Sequence, residues 1–373
     1  MLFYLKHKWN AIRENLFGVF YIMTETNNKF SKKNVIGSLR IYILFLIDAG
    51  QVLRILLLPD FGWDQSLVSN MQSMNIIDFG VQMISVNTIQ RSTFFIASVV
   101  LVSLAVLDTM LVMRIFQKGN ASSIWPVIVL RLLVTTLVTT FFMSILTWLL
   151  YPVTCHKRHS QGARDTISSW LHGNDLSIPC TPWAAPEIAV TLPALILAGV
   201  FITFSVTTTL LSFEVNPLSE QPGGRCTGRL EALWSTVRIA AVLVPFVSDF
   251  ISITGALSLL CALVAILLIS HVSMLPFHSH ACNLLRGGIY ATVTWVCAAS
   301  TLLSTLPAGS AVDLQWAFMG ICPVAFALGL VLVHSRRLRI RHDLQLLRAD
   351  FNEHRSGSVC GSDPAELHTV TRR

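Results

Sequence analysis

The residues best equipped for chemistry stand where sequence of this kind ought to exclude them. The stretch LFLIDAGQVLRILLLP at 44–59 carries Asp48, Gln51 and Arg54 in an otherwise apolar run. Asp108, Arg131, Arg238 and Asp249 interrupt or close other apolar runs in the same way. A charge facing lipid costs roughly 2.5–3.5 kcal/mol at a helix centre on the most lenient scale, so such side chains turn inward and take partners. Carboxylates set against guanidiniums can then hold helices in register, or they can line a route for an ion or proton.

Other reactive residue types are sparse. HSHAC places His278, His280 and Cys282 together, with His271 nearby, but one such cluster without a second half falls short of a zinc pattern. CHKRH after Tyr151, and His172, supply imidazoles that titrate at about pH 6–7, a range in which surface histidines are common. No HExxH, Walker loop, GxSxG or dinucleotide fingerprint is present, and GGR at 223–225 follows no strand. Neither catalytic residues, a cofactor nor a metal site is expected.

The elements that must position these charges follow from composition. Of 373 residues 53% are hydrophobic and 13% charged, about half the charged fraction usual in soluble domains. The apolar residues gather in long blocks that do not alternate, which excludes an outer-membrane barrel. The formal charge of +7 comes from basic residues at the ends of those blocks, so membrane topology explains it and nucleic acid is not an expected partner.

Eight segments can each cross about 30 Å of hydrocarbon: 39–58, 93–115, 125–150, 188–211, 230–248, 251–274, 286–306 and 314–333. The fold class expected is all-α, a polytopic transmembrane bundle. Residues 3–24 repeat apolar positions at helical spacing and predict an amphipathic interfacial helix within a cytoplasmic segment 1–38. Residues 61–92 read as an interfacial or re-entrant excursion. The bundle then covers 39–333 and a basic tail 334–373. No cleavable signal peptide is evident, so insertion would fall to the first span.

With the N-terminus cytoplasmic, twenty of the 27 Lys and Arg fall on the inner side, four on the outer side and three within spans. Both termini are therefore expected in the cytoplasm. The NAS sequon at Asn120 then lies inside and stays unmodified. Cys155 and Cys180 share the outer loop 151–186 and are expected as a disulfide, the alternative being two free thiols. Depth pairs the charges. Asp48 stands nine residues from the inner end of its span and Arg238 eight from that of its own. Asp108 and Arg131 lie toward the inner face, and Arg54 and Asp249 toward the outer face.

The tail opens HSRRLRIRHDLQLLRADF, where Arg336, Arg337, Arg339 and Arg341 would meet anionic headgroups at the cytoplasmic face. Leu338, Leu344, Leu347 and Phe351 could bind a partner if the last helix continues, or the segment could serve only as a stop-transfer anchor. The last eighteen residues are expected to be disordered.

Several stretches together resemble the membrane domain of the tiny macrocysts (TmcB/TmcC-like) proteins. They are FGVFY at 17–21, LIDAGQVLRILLLPDFGW at 46–63, SFEVNPLSEQPGGRCTGRLEALWSTVRIAAVLV at 212–244 and LPFHSHACNLLRGGIYATVTWVCA at 275–298. The outer-loop cysteines 155 and 180 fit the same pattern. The resemblance implies an integral membrane protein. Larger members carry PAS or nucleotide-cyclase modules after the membrane part, whereas only about forty residues follow the last span here, so no output domain is expected in this chain. The function expected is a non-enzymatic multi-pass sensor or scaffold, acting through cytoplasmic loops on a signalling partner or a second copy. The alternative is an ion or proton channel or transporter built on the buried pairs.

Overall fold

The computed structural model of the chain describes residues 35–64, 88–117, 125–150, Pro152, 185–211, Gly224, 226–247, 251–306 and 312–359. Among these residues the fold is all-helical, without a β-strand. The interfacial helix expected at 3–24, Cys155 and Cys180, Asp249 and most of the excursion 61–92 lie outside the described residues.

In chain order the helices are α1 (Val35–Leu56), α2 (Thr88–Gln117), α3 (Trp125–Val134), α4 (Phe142–Leu150), α5 (Ala185–Leu211), α6 (Arg229–Val247), α7 (Ile253–Met274), α8 (His280–Leu303) and α9 (Val312–Val359). Among the described residues five stretches are long and apolar enough to cross a membrane: Thr93–Ile115, Ile188–Leu210, Arg229–Val247, Ile253–Met274 and Asp313–Ala349. A sixth is reached if α3 and α4, bent by 74° across a π-helical turn at Thr135–Thr140, make one span.

The two remaining segments, α1 and α8, are helices as the sequence predicts, but α8 is too polar to read as a span by composition alone. Its place in the bundle explains this. Fourteen of the 24 residues of α8 are buried, among them Asn283, Arg286 and Ser300, because α7, α9 and α1 pack around it. A helix shielded by others can hold polar residues that a lipid-facing helix cannot. The outer helices show the reverse pattern: Leu107 of α2, Ile196 of α5 and Leu259 of α7 are each 60% or more exposed. Continuous apolar belts of this kind require hydrocarbon around them, and the molecule is built to be embedded in a membrane.

Close approach of backbones sets the α8–α9 contact. A Cβ on Gly329 would overlap the carbonyl oxygen of Gly287, and one on Gly288 would stand 2.6 Å from the Phe326 ring. Small residues at a helix crossing let dispersion act between backbones where lipid removes the hydrophobic drive. At the far end of α8 the PDFGWD stretch is bolted down. Gly62 takes φ +89°, and the Trp63 indole donates to Ser300 Oγ at 3.0 Å. Gln315 of α9 accepts from the Asp64 amide at 2.7 Å and donates to the Gly62 carbonyl at 3.0 Å.

Gly329→Ala should lower the stability of the detergent-solubilised protein by about 1–3 kcal/mol through overpacking. Gly320→Ala on the same helix, where an added Cβ meets nothing within 4 Å, should leave it unchanged or slightly raised. Thermal unfolding of the two variants side by side checks this, and equal behaviour would dissolve the close-contact account.

Candidate functional site

Helical spacing builds the site from three faces. On α6, Glu231, Trp234, Ser235 and Arg238 follow one another at i, i+3, i+4 and i+7, so they form one stripe. Phe45 and Asp48 on α1 make a second stripe, and Asn283, Arg286 and Tyr290 on α8 make a third. Glu231 and Arg238 are two turns apart, so the site is a column about 10 Å tall along the helix axes.

Asp48 is its pivot. Its Oδ1 accepts from Arg238 Nη1 at 2.8 Å, and its Oδ2 accepts from the Trp234 indole and from Arg286 Nη1, the latter at 3.4 Å. Arg286 Nη2 reaches Glu231 Oε2 at 3.4 Å, and Arg238 Nη2 donates to Ser235 Oγ at 3.0 Å. All four charged side chains are between 3% and 9% exposed, and two carboxylates against two guanidiniums sum to zero. Aromatic faces complete the shell. The Arg286 guanidinium lies 3.9 Å over the Phe45 ring, with Trp234 and Tyr290 at 5.6 and 5.7 Å, and that of Arg238 lies 4.6 Å over Phe142. A desolvated cation over an aromatic face gains on the order of 2 kcal/mol, which offsets part of the several kcal/mol each buried ion costs.

The break between α3 and α4 feeds the same column. Phe141 N–H bonds Thr136 O at 3.0 Å, five residues back. Local carbonyls freed by this winding are taken up by side chains from other helices: Val138 O accepts from Arg238 Nη1 at 3.3 Å and Thr140 O from Gln51 Nε2 at 2.7 Å. Gln51 is polar within α1 for this reason.

Two turns set the height of α6 and α8. Leu275, in the left-handed region at φ 44°, ends α7, and the following Pro276 rules out helical continuation. Pro276 O accepts from the Cys226 amide at 2.9 Å and Gly224 O from the His278 amide at 3.0 Å, which fastens the entry of α6 to the α7–α8 turn. Asn283 closes that turn by donating to Phe277 O at 2.7 Å and accepting from its amide at 3.1 Å. HSHAC is therefore part of a structural turn. His271 is buried with Nε2 3.0 Å from Asn283 O, and among the described residues no group of three or more His, Cys, Asp or Glu could hold a metal.

Of the pairs expected from depth, the structure brings Asp48 and Arg238 together. Asp108 is half-buried on α2, which packs on α3, but the side chain of Arg131 lies outside the described residues. Arg54 is partly buried near the end of α1, and its expected partner Asp249 is likewise outside them. Arg336 and Arg337 are half-exposed and Arg339 and Arg341 exposed on α9. That helix continues to Val359, past the start of the segment expected to be disordered. Where α9 passes the start of α8, burial together with the nearby Arg337, His334 and Arg341 holds the His280 imidazole below its ordinary range.

Three members of the column escape the depth argument: Glu231, Trp234 and Arg286. Arg286 reads as an inner-surface charge only if its helix starts there, and α8 in fact begins at His280. A carboxylate seven residues before Arg238 is the signal that could have found Glu231.

Over 182 residues, 48% of its length, the chain is 26% identical to Tiny macrocysts protein C of Dictyostelium discoideum. That stretch makes up 12% of the Dictyostelium protein, so the chain matches only a small part of it. No family model matches the chain. No solved structure matches it.

Removing one member of the quartet should cost more than removing a neutral pair. Asp48→Leu leaves two guanidiniums against one carboxylate and should destabilise by about 3–5 kcal/mol. Asp48→Leu with Arg238→Met leaves Glu231 and Arg286 balanced and should be milder than either single change. Thermal unfolding of the three variants tests this, and additive losses would refute the coupling.

Proposed function

We propose that this chain is a multi-pass membrane protein without catalytic activity, a sensor or scaffold that acts through its cytoplasmic loops and tail on a protein partner. In this reading α1, α2, α3–α4 and α5 to α9 make eight spans, and both termini face the cytoplasm. The bias of Lys and Arg toward one set of loops supports that orientation. Similarity to a small part of Tiny macrocysts protein C supports a shared unit set in a larger relative.

One observation carries the reading: the charges at the core are enclosed, mutually paired and neutral as a group. An ion pathway works through charged groups that water can reach and that exchange partners. Here Asp48 is held from three sides by Arg238, Arg286 and Trp234, an arrangement suited to fixing helices.

Reconstitution in liposomes tests it. The wild-type protein should carry neither current nor proton flux above empty vesicles, and Asp48→Asn should differ from it in stability alone. Protein-dependent flux that Asp48→Asn abolishes would replace this reading with a channel or transporter. Orientation has its own check: single cysteines within 157–175 should react with an impermeant thiol reagent from outside, and those within 216–228 only from inside. The opposite labelling would invert the topology.

A further inference from the structure

α9 outruns the helix that covers it. Its face bearing Phe326, Gly329 and Val333 packs on α8, with Val333 fully buried. α8 begins at His280, whose ring centroid lies 5.9 Å from that of His334, while α9 runs on to Val359. At 1.5 Å per residue the remainder extends the rod by roughly 37 Å. Among the described residues nothing packs on the continuation of that face: Ile340 and Leu347 stand seven and fourteen residues after Val333, with Leu344 between them. Leu344 is 59% and Leu347 64% exposed.

The spacing 340, 344, 347, 351 alternates four and three, which is the seam of a two-stranded coil. With Leu344 and Phe351 at the a positions and Ile340 and Leu347 at d, the flanking e positions are Arg341, Arg348 and Arg355, and the g positions Asp343 and Asp350. In a parallel pair each g residue faces the e residue five places on in the other helix. Asp343 then meets Arg348 of a second copy, and Arg348 meets its Asp343, opposite signs each time. In an antiparallel pair e faces e and g faces g, so Arg would meet Arg and Asp would meet Asp. We infer that the extension of α9 pairs in parallel with the same segment of a second copy of this chain through Ile340, Leu344 and Leu347.

This inference deepens the scaffold reading and rests on it for the shared orientation of copies in one membrane. Two heptads alone make a weak coil, but confinement to a membrane raises the local concentration of partners. Arg337 occupies the seam position nearest the bundle, where a charged residue costs stability and restricts register.

The test uses the full-length chain with Cys360→Ser, in membranes. Oxidation of Leu344→Cys and Leu347→Cys should give covalent dimers at least five-fold above Ala349→Cys, on the outer side of the coil, and above the Cys360→Ser background. Added to the Leu347→Cys chain, Asp343→Arg and Arg348→Asp should each lower the yield several-fold. Co-expression of the two, differently tagged, should restore it as a mixed dimer. Equal yield at 344, 347 and 349, or yields indifferent to the charge changes, would overturn the proposal. So would thiols of the Leu344→Cys and Leu347→Cys chains protected by phosphatidylserine but not by phosphatidylcholine, with no cross-link, because that assigns the stripe to anionic headgroups. The flux assay does not read this seam, so either proposal can fail alone.

Discussion

Electroneutrality in a closed space is the constraint on which the core depends. Once Asp48 is buried, it must face a guanidinium, and the one it faces best arrives from a residue 190 positions later. A second guanidinium, Arg286, comes 238 positions after it and needs Glu231 to bring the total to zero. Neither α1 nor α8 can be buried alone without leaving an uncompensated charge, at a cost of several kcal/mol, and α6 brings one charge of each sign two turns apart to meet them. The quartet therefore couples α1, α6 and α8, because losing any one member leaves a buried charge without its counter-charge. Register follows as well: moving α6 by one residue would rotate the Glu231–Arg238 stripe by about 100° away from Asp48.

The rest of the interior is arranged to enclose that cluster. Aromatic rings cover both guanidiniums, so groups that cannot compete as hydrogen-bond acceptors still contribute favourable charge–quadrupole energy. The π-helical turn at Thr135–Thr140 would be costly in hydrocarbon. It is accommodated because Gln51 and Arg238 meet carbonyls of the broken segment. Polar residues of α1 thus have two tasks, pairing charge and capping backbone, and the surrounding helices turn their apolar faces outward.

Much of this was legible in the sequence, and the limits have physical causes. Helices could be read from apolar blocks because lipid tolerates few other patterns, and Asp48 could be matched to Arg238 because span length fixes depth. Arg286 could not be matched in the same way. Hydropathy starts its helix where the apolar residues start, whereas the HACNLL turn begins the helix six residues earlier and carries Arg286 inside. Glu231 is missed for a different reason: α6 begins where hydropathy starts it, and a carboxylate near a span's end reads as a surface group until the opposing helix is known to bury it. Trp234 looks like any aromatic membrane residue, and only the position of Asp48 shows that its indole N–H is used. The break between α3 and α4 has no signal in TTLVTT beyond threonines that also suit ordinary membrane helices.

Adjacency on α8 joins the buried charges to the extension of α9. Arg286 belongs to the quartet and the next residue, Gly287, lies against Gly329 of α9 with no side chain between the two backbones. A contact without side chains has little freedom to absorb motion by changing rotamers, so displacement of α8 passes to α9 rather than being lost in the interface. Any rotation or translation of α8 that reorganises the pairing around Asp48 would move Gly287, the point where α8 touches the helix that carries Val333 and, farther along, Leu344 and Leu347. For a protein whose reading rests on assembly rather than catalysis, this continuity supplies a physical route from the membrane interior to a surface another chain can touch. It runs through two glycines and one long helix.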